Sequence, residues 1–365
     1  MADIEIGAGK SARRAYGLDD VAVVPSRRTR DPDCVDLTWE LDAYRFDIPV
    51  LAAPCDSVVS PATAVVMGEL GGAGVLHLEG LWTRYDDPEP VLQEIIDLPV
   101  EPAAKATARL QELYTEPVRP ELVEARIAEI KESGITCAVA VSPQRTEALV
   151  PHILRAEPDL VVIHSQIVSA EHVSRSVEEP LNLKSFIRRF ELPVVVGGCS
   201  SYQAALHLMR TGAAGVLVGG ARDVFGVGVP LATAVADARA ARMRHLDETG
   251  VYVQVIAEGG MCTGGDIAKA LVCGADAVML GEPLAASTES PGGGWHWEMP
   301  ATHPTLPRGE RVRLELRGSL SEVLFGPGAD GTGARNLMGA LRQTMALTGY
   351  ETIKELQKAE LVVRT

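Results

Sequence analysis

Two stretches in the second half of the sequence repeat one pattern. Residues 192–220 and 252–281 each contain a β-branched run, a Gly-Gly pair, a polar helix start, an amphipathic helix, a Gly-Ala pair and a second apolar run that ends in Gly. Strand–helix–strand units of this kind wind right-handed into a parallel sheet. Because a parallel sheet is covered on both faces, the repeat predicts an α/β architecture with helices packed around the strands.

The same alternation extends over most of the chain. Eight apolar runs are predicted strands, at residues 49–53, 73–78, 136–141, 159–164, 193–197, 214–219, 252–257 and 276–281. Helical patterns lie at 60–70, 120–133, 145–155, 181–190, 200–211, 231–246 and 264–273. Eight strands alternating with helices over about 250 residues predict a (β/α)8 (TIM) barrel. A doubly wound open sheet is the alternative, which is disfavoured because no strand is followed by a G-x-G-x-x-G turn.

The remaining residues are predicted to decorate a single barrel domain, 1–365. Segment 83–118 is rich in Pro and acidic residues and is expected to be an excursion after the second strand, with one short helix. Residues 283–334 begin rich in Gly and Pro and are expected to form a flap or lid. The other additions are a stretch expected to cap the bottom of the barrel (19–28) and closing helices (near 335–348 and 351–360).

Charge and composition exclude several classes of function. The formal net charge of −15 argues against binding to the phosphate backbone of nucleic acids. No apolar run approaches the roughly 20 residues that a membrane helix needs, and the N-terminus lacks a secretory apolar core. The six cysteines (34, 55, 137, 199, 262 and 273) form no C-x-x-C pair, so free thiols are expected. We therefore expect a cytoplasmic protein that binds neither nucleic acid nor membrane.

In a barrel of this kind the chemistry lies where the strands end. The candidate positions there are Cys55-Asp56, His77 with Glu79, Ser142, His164 with Gln166, Cys199-Ser200, Arg222, Glu258 and Gly281-Glu282. Each has a structural alternative: a histidine can be a hydrogen-bonded rim residue, a cysteine a small apolar plug, and Arg222 with Asp223 a solvated loop pair. A zinc site, and with it a metal-assisted lyase, can be drawn from Cys55, His77, His164 and Cys199. Because these four come from different strands without local ligand spacing, no metal is predicted.

Glycine pairs after the last two strands are a more specific signal. Glu258-Gly259-Gly260 follows the seventh strand and precedes a helix, and Gly281 ends the eighth. TIM barrels bind phosphate at these turns, because bare backbone N–H groups can approach the oxygens. The alternative is that the glycines only relieve crowding at tight turns. Phosphate binding is the favoured interpretation.

Several strings together resemble the IMP dehydrogenase/GMP reductase family over most of the chain. They are YGLDDVAVVPSRRTRDPDCVDLTWEL near the N-terminus, DIPVLAAPCDSV at 47–58, GGAGVLHLEG at 71–80, GVGVPLATAV at 226–235, AEGGMCTGGDIAKALVCGADAVMLGEPLAASTESPG at 257–292, and RGSLSEVL with NLMGALRQTMALTGYETIKEL further on. No room exists between strands 2 and 3 for the paired regulatory CBS domains of many IMP dehydrogenases. The lack of room for CBS domains and the strings HLEGLWTRYDDPEP and SAEHV make the sequence most similar to the bacterial IMP-dehydrogenase-like branch that lacks CBS domains.

The resemblance implies a covalent redox reaction on a purine nucleoside monophosphate, either IMP to XMP or GMP to IMP. In the family a loop cysteine attacks C2 of the purine, and the adduct exchanges hydride with NAD or NADP. Binding roles carried over by position fall on a first-strand loop that helps to hold the nucleotide (Cys55, Asp56), an acidic residue that grips the ribose hydroxyls (Glu258) and the phosphate turns (Gly259, Gly260, Gly281, Glu282). The resemblance also implies a homotetramer and a monovalent-cation site for K+ at the catalytic loop.

The sequence departs from the family at the catalytic loop. After the sixth strand only a remnant is present, Gly219, Gly220 and Arg222, and no cysteine lies between Cys199 and Cys262. The nucleophile is therefore not identified. A catalytically inactive paralogue that binds a nucleotide or a partner protein is the alternative function.

Further departures concern the ligands. Glu282 stands where the family tends to place a hydroxyl, and a carboxylate ~5 Å from a phosphate costs roughly 3 kcal/mol at an effective dielectric constant of 20. His164 and Cys199 replace the acid-and-amide pattern that contacts the nicotinamide, so these two are the predicted cofactor contacts. No Arg-Tyr pair lies in 292–325, which favours a reductase over a dehydrogenase.

Overall fold

Eight parallel strands close into a barrel. The computed structural model describes residues 4–169, 182–219, 226–298, 311–328 and 331–364. Its barrel strands are β1 (Val50–Ala52), β2 (Ala73–His77), β3 (Ala138–Val141), β4 (Leu160–His164), β5 (Val194–Cys199), β6 (Gly215–Val218), β7 (Gln254–Glu258) and β8 (Ala277–Leu280). Each strand pairs with the next in sequence, and β8 pairs with β1. The predicted (β/α)8 barrel is thus confirmed, and the open sheet is excluded.

Helices follow the strands and cover the outer face of the barrel. They are α1 (Pro61–Glu69), α2 (Glu89–Asp97), α3 (Ala103–Leu113), α4 (Pro120–Glu132), α5 (Thr146–Ala156), α6 (Leu183–Ile187), α7 (Tyr202–Met209), α8 (Leu231–Thr249), α9 (Gly264–Cys273), α10 (Glu282–Ala285), α11 (Leu320–Phe325), α12 (Leu337–Thr348) and α13 (Ile353–Leu356). Among these described helices none is long and apolar enough to cross a bilayer.

The barrel strands are buried on both faces, as their aliphatic composition requires. All their residues are buried except His164, Gln254 and Glu258, which are half-buried at strand ends. Val, Leu, Ile and Ala fill the interior, which explains how the chain forms a full core with only 4% aromatic residues. Polar side chains are therefore confined to the two openings of the barrel.

The excursion between β2 and β3 is more structured than the sequence suggested. Two helices, α2 and α3, occupy it where one short helix was expected, and α4 then leads to β3. Pro88 and Pro102 immediately precede α2 and α3. Both helices are amphipathic, with Leu92, Ile95 and Leu110 buried, so their charged residues lie mainly on their outer faces.

A hairpin covers the starts of the barrel strands. Its strands are Trp39–Leu41 and Tyr44–Phe46. Trp39 Nε1 donates to Gln254, the first residue of β7, and the Tyr44 hydroxyl donates to Asp159, just before β4. Residues 21–23, within the stretch expected to cap the bottom, pair with the C-terminal strand 361–363.

Candidate functional site

Two polar side chains meet at the carboxyl-terminal mouth of the barrel. His164 is the last residue of β4 and Glu258 is the last residue of β7. The histidine Nε2 atom lies 2.7 Å from Oε1 of the glutamate. Each side chain keeps 15% of its surface exposed. The pair therefore lies at the border between the packed barrel and its opening.

Glycines of the intervening strands let the strand backbones approach each other closely beside this pair. β5 and β6 separate β4 from β7, and Gly197 of β5 is the register partner of His164. A Cβ atom on Gly219, which follows β6, would come within 2.0 Å of the Glu258 carbonyl oxygen. Because the backbones approach this closely, no side chain can be accommodated at residue 219.

The ionisation of the pair follows from its surroundings. Burial opposes the charged imidazole of His164, but the Glu258 carboxylate favours it, and the net effect raises the pKa of the histidine. The second carboxylate oxygen of Glu258, Oε2, is buried and receives no hydrogen bond from the described protein groups. Because buried carboxylate oxygens are normally hydrogen-bonded, Oε2 is suited to accept a bond from a ligand hydroxyl.

The glycine turn after β7 lies beside this carboxylate. Gly259 and Gly260 have φ values of +89° and +66°, and both are exposed with open space where a Cβ would stand. The turn leads to α9, whose first residues are capped by Thr263 together with Asp266. The exposed, left-handed glycine backbone is accessible to an anion, as the prediction of a phosphate turn requires.

The turn after β8 places Gly281 and Glu282 differently. A Cβ on Gly281 would contact Ala53 and His296 at 3.6 Å, so this residue lies between the first strand loop and the flap. Glu282 is exposed. Burial and the Glu282 charge raise the pKa of the Cys262 thiol, while the Arg317 charge lowers it. The positive charge of Arg317 thus opposes the unfavourable charge of Glu282 at Cys262, which follows the predicted phosphate turn at Gly259 and Gly260.

Asp56, the acidic residue of the first-strand loop, is hydrogen-bonded to the excursion after β2. Asp56 is buried, and its Oδ2 atom accepts bonds from the Leu81 N–H at 3.0 Å and the Tyr114 hydroxyl at 2.5 Å. Cys55 is buried beside it. The predicted contact of Cys55 and Asp56 with a nucleotide stays a prediction, and the geometry adds a structural role for Asp56.

The described part of the flap is anchored beside this loop. The Ser57 hydroxyl lies 2.9 Å from Nδ1 of His296, and Trp297 Nε1 donates to Tyr114 at 2.9 Å. Arg311 stacks on the ring of Trp295 at 3.7 Å. Sequence reasoning missed Tyr114, His296 and Trp297. The string WHW in a Gly-rich segment is the available signal, because aromatic residues are scarce in this chain.

The thiol of Cys199, at the end of β5, is not activated. Burial raises the pKa of Cys199 to about 12, and its thiol donates to the carbonyl of Leu217 in the barrel wall. Only 2% of Cys199 is exposed, so the geometry adds no support to its predicted cofactor contact, which stays a prediction. Within the described ranges no group of three or more His, Cys, Asp or Glu is arranged to hold a metal ion, and the zinc ring is not assembled.

Most of the predicted catalytic-loop remnant lies outside the described residues. Gly219 is described, and its N–H donates to the Cys199 carbonyl. Gly220 and Arg222 lie outside the described residues. The K+ site was expected at this loop, so it stays a prediction as well.

Comparison with known proteins identifies the family. Residues 15–299 match the IMP dehydrogenase / GMP reductase domain. The chain belongs to the IMP dehydrogenase/GMP reductase family. A solved structure, that of the IMP dehydrogenase/GMP reductase-like protein from Corynebacterium glutamicum, is 43% identical and superposes with a TM-score of 0.93, covering 99% of this chain and 98% of that one.

Two curated relatives of the chain are also oxidoreductases. An "Uncharacterized oxidoreductase" from Mycolicibacterium smegmatis is 51% identical, with 99% of both chains covered. The inosine-5'-monophosphate dehydrogenase of Methanocaldococcus jannaschii is 24% identical, covering 97% of this chain and 93% of that protein. Membership of an oxidoreductase family is thus established.

Proposed function

We propose that this protein is an NAD- or NADP-dependent oxidoreductase of purine nucleotide metabolism that binds a purine nucleoside monophosphate at the barrel mouth. The observation that carries the proposal is the juxtaposition after β7: a carboxylate oxygen of Glu258 that accepts no hydrogen bond from the described residues, followed directly by the exposed glycines 259 and 260. A hydroxyl acceptor next to an anion-accessible backbone suits a ribose phosphate.

The nucleotide would be oriented by this chain's own groups. The turn at Gly259 and Gly260 offers main-chain N–H groups to the phosphate, and Glu258 accepts from the ribose hydroxyls. The base would then lie towards the mouth of the barrel. NAD or NADP, when bound, supplies the hydride acceptor or donor. His164 fits beside it because its side chain is partly exposed at the mouth.

A second candidate function is nucleotide binding without turnover, and the chemistry of the cysteines favours it. The family reaction needs a thiolate, and none of the six cysteines lies in residues 200–261, where the catalytic loop belongs. Burial raises the pKa of Cys137 and Cys199 to about 12 and that of Cys273 to about 11. Such thiols are neutral near neutral pH.

Two measurements separate these functions. Isothermal titration calorimetry with IMP, XMP and GMP tests nucleotide binding, and nicotinamide absorbance with each nucleotide plus NAD(H) or NADP(H) tests hydride transfer. Binding with turnover supports the oxidoreductase, and binding without turnover supports the second candidate. If none of the three nucleotides binds, both proposals are wrong. Native mass spectrometry of the same sample tests the homotetramer, which we propose by family likeness.

A further inference from the structure

We propose that His164 is a positioning residue of the nucleotide site, which holds one oxygen of the Glu258 carboxylate so that the other is presented to the ligand. The inference rests on the proposed function, because it requires a ribose-bearing ligand at the mouth. It assigns to His164 a role other than contact with the cofactor.

The hydrogen bond makes this assignment specific. The Nε2 atom of His164 is 2.7 Å from Oε1 of Glu258, and Oε2 has no protein donor among the described groups. The two oxygens of one carboxylate are therefore unequal: the first is bonded to His164, and the second is buried and accepts no bond from the described groups. A ligand that donates a hydroxyl hydrogen to Oε2 completes the hydrogen bonding of the carboxylate.

The histidine also removes two obstacles to binding by Glu258. A free glutamate side chain rotates about its terminal torsion, which is broad, and the bond from His164 restricts that rotation. A carboxylate that is largely buried is disfavoured unless an opposite charge or a donor lies nearby, and the Nε2 atom of His164 lies within hydrogen-bond distance to supply a donor. The pair is therefore preorganised before a ligand arrives.

The strands beside the pair provide no alternative side-chain donor to Glu258 at the two positions next to it. Gly197 is opposite His164 in β5, and Gly219 follows β6 against the Glu258 carbonyl. Neither glycine has a side chain that could replace His164 as a donor. If His164 is removed, the described neighbours on these strands leave Oε1 without its bond.

A titration of the wild type and two variants tests the inference. Calorimetry would compare IMP with 2′-deoxy-IMP on the wild-type protein, His164→Gln and His164→Ala, because a glutamine amide nitrogen reaches the position of Nε2. We expect the wild type to prefer IMP about tenfold or more, as one charge-assisted hydrogen bond provides. His164→Gln should prefer IMP by a ratio within threefold of the wild-type ratio. In His164→Ala the affinity for IMP should exceed that for 2′-deoxy-IMP by less than threefold, with little change in the affinity for 2′-deoxy-IMP.

A matched control separates this role from a general structural one. His152 makes a His–Glu bond of 2.6 Å to Glu124 between the outer helices α5 and α4. His152→Ala should leave both nucleotide affinities unchanged. If His164→Ala weakens both nucleotides equally, or changes neither, the inference is wrong while the proposed function stands. If the wild type binds neither nucleotide, both fail.

Discussion

Trp297 donates its indole hydrogen to the hydroxyl of Tyr114 over 2.9 Å, and Tyr114 donates in turn to Asp56. All three side chains are buried. The two bonds connect the flap, the excursion after β2 and the first-strand loop, which are far apart in sequence. The flap is thus fixed to the barrel rim by a continuous polar network.

Tyr114→Phe should destabilise the protein by about 1–3 kcal/mol, because the buried indole N–H loses its acceptor and Asp56 loses a donor. Urea unfolding followed by tryptophan fluorescence measures this change. Tyr85→Phe is the control, since its hydroxyl donates to a single carbonyl, that of Leu113, and is only partly buried. A loss no greater than that of the control would show that the network adds nothing.

Gly260→Ala should weaken IMP binding and destabilise the fold by about 1 kcal/mol, because an L-residue at φ of +66° is strained. Gly265→Ala is the matched control inside α9, where φ is ordinary and the nearest atom, the Thr263 hydroxyl, is 3.6 Å from the added Cβ. This control should be neutral or stabilising by up to about 1 kcal/mol. Calorimetry and urea unfolding measure both. Equal IMP affinity in the two variants would argue against a phosphate turn at Gly260.

Native alkylation by iodoacetamide at pH 8 should modify Cys34 first, since it is exposed. At that pH a thiol with a pKa of about 12, as for Cys137 and Cys199, holds roughly 10³-fold less thiolate than an ordinary one. Peptide mass spectrometry identifies the modified sites, and unfolded protein supplies the reactivity of all six cysteines. Rapid modification of Cys137 or Cys199 in the native protein would contradict the raised pKa of that thiol.

His164, through its bond to Glu258, should stabilise the fold more near pH 6 than above the native pKa of the histidine. The pKa of His164 is raised in the native state, so its contribution is complete below the unfolded-state value of about 6.5 and is lost as the pH rises through the native value. The free energy of unfolding of the wild type, relative to His164→Gln, should therefore fall in that window.

A second histidine of the same protein, His245, should show the opposite pH dependence of stability. Burial lowers the pKa of His245 on α8, so its contribution must instead be lost as the pH falls. Urea unfolding at a series of pH values, for each His→Gln variant against the wild type, checks the two opposite slopes. A His164 difference that is constant with pH would contradict the charged pair.

The barrel could be predicted from the sequence because each buried strand is a short aliphatic run bounded by polar or glycine residues. The run at 214–219, for example, forms β6 at Gly215–Val218. Local patterns fix such elements, since burial on both faces requires continuous apolar side chains. The excursion was less predictable, because the charged faces of α2 and α3 conceal their apolar stripes.

The site could be predicted as a set of positions but not as contacts. His164 and Glu258 were each predicted at a strand end, yet they are 94 residues apart, and no local spacing indicates that they bond. Tyr114 and Trp297 were missed for a related reason. They are aromatic residues outside the barrel strands, and only the tertiary fold brings them together.

The bare backbone at residue 219 has a consequence for how this protein can change over time. Any side chain there would displace the carbonyl of Glu258, only 2.0 Å from its first carbon, and with it the carboxylate that His164 holds. Mutations at 164, 219 and 258 are therefore not independent. A descendant chain would keep its ligand specificity only through changes that preserve a donor to Glu258, as Gln at 164 would, so the effect of a mutation at one of these positions depends on the residues at the other two.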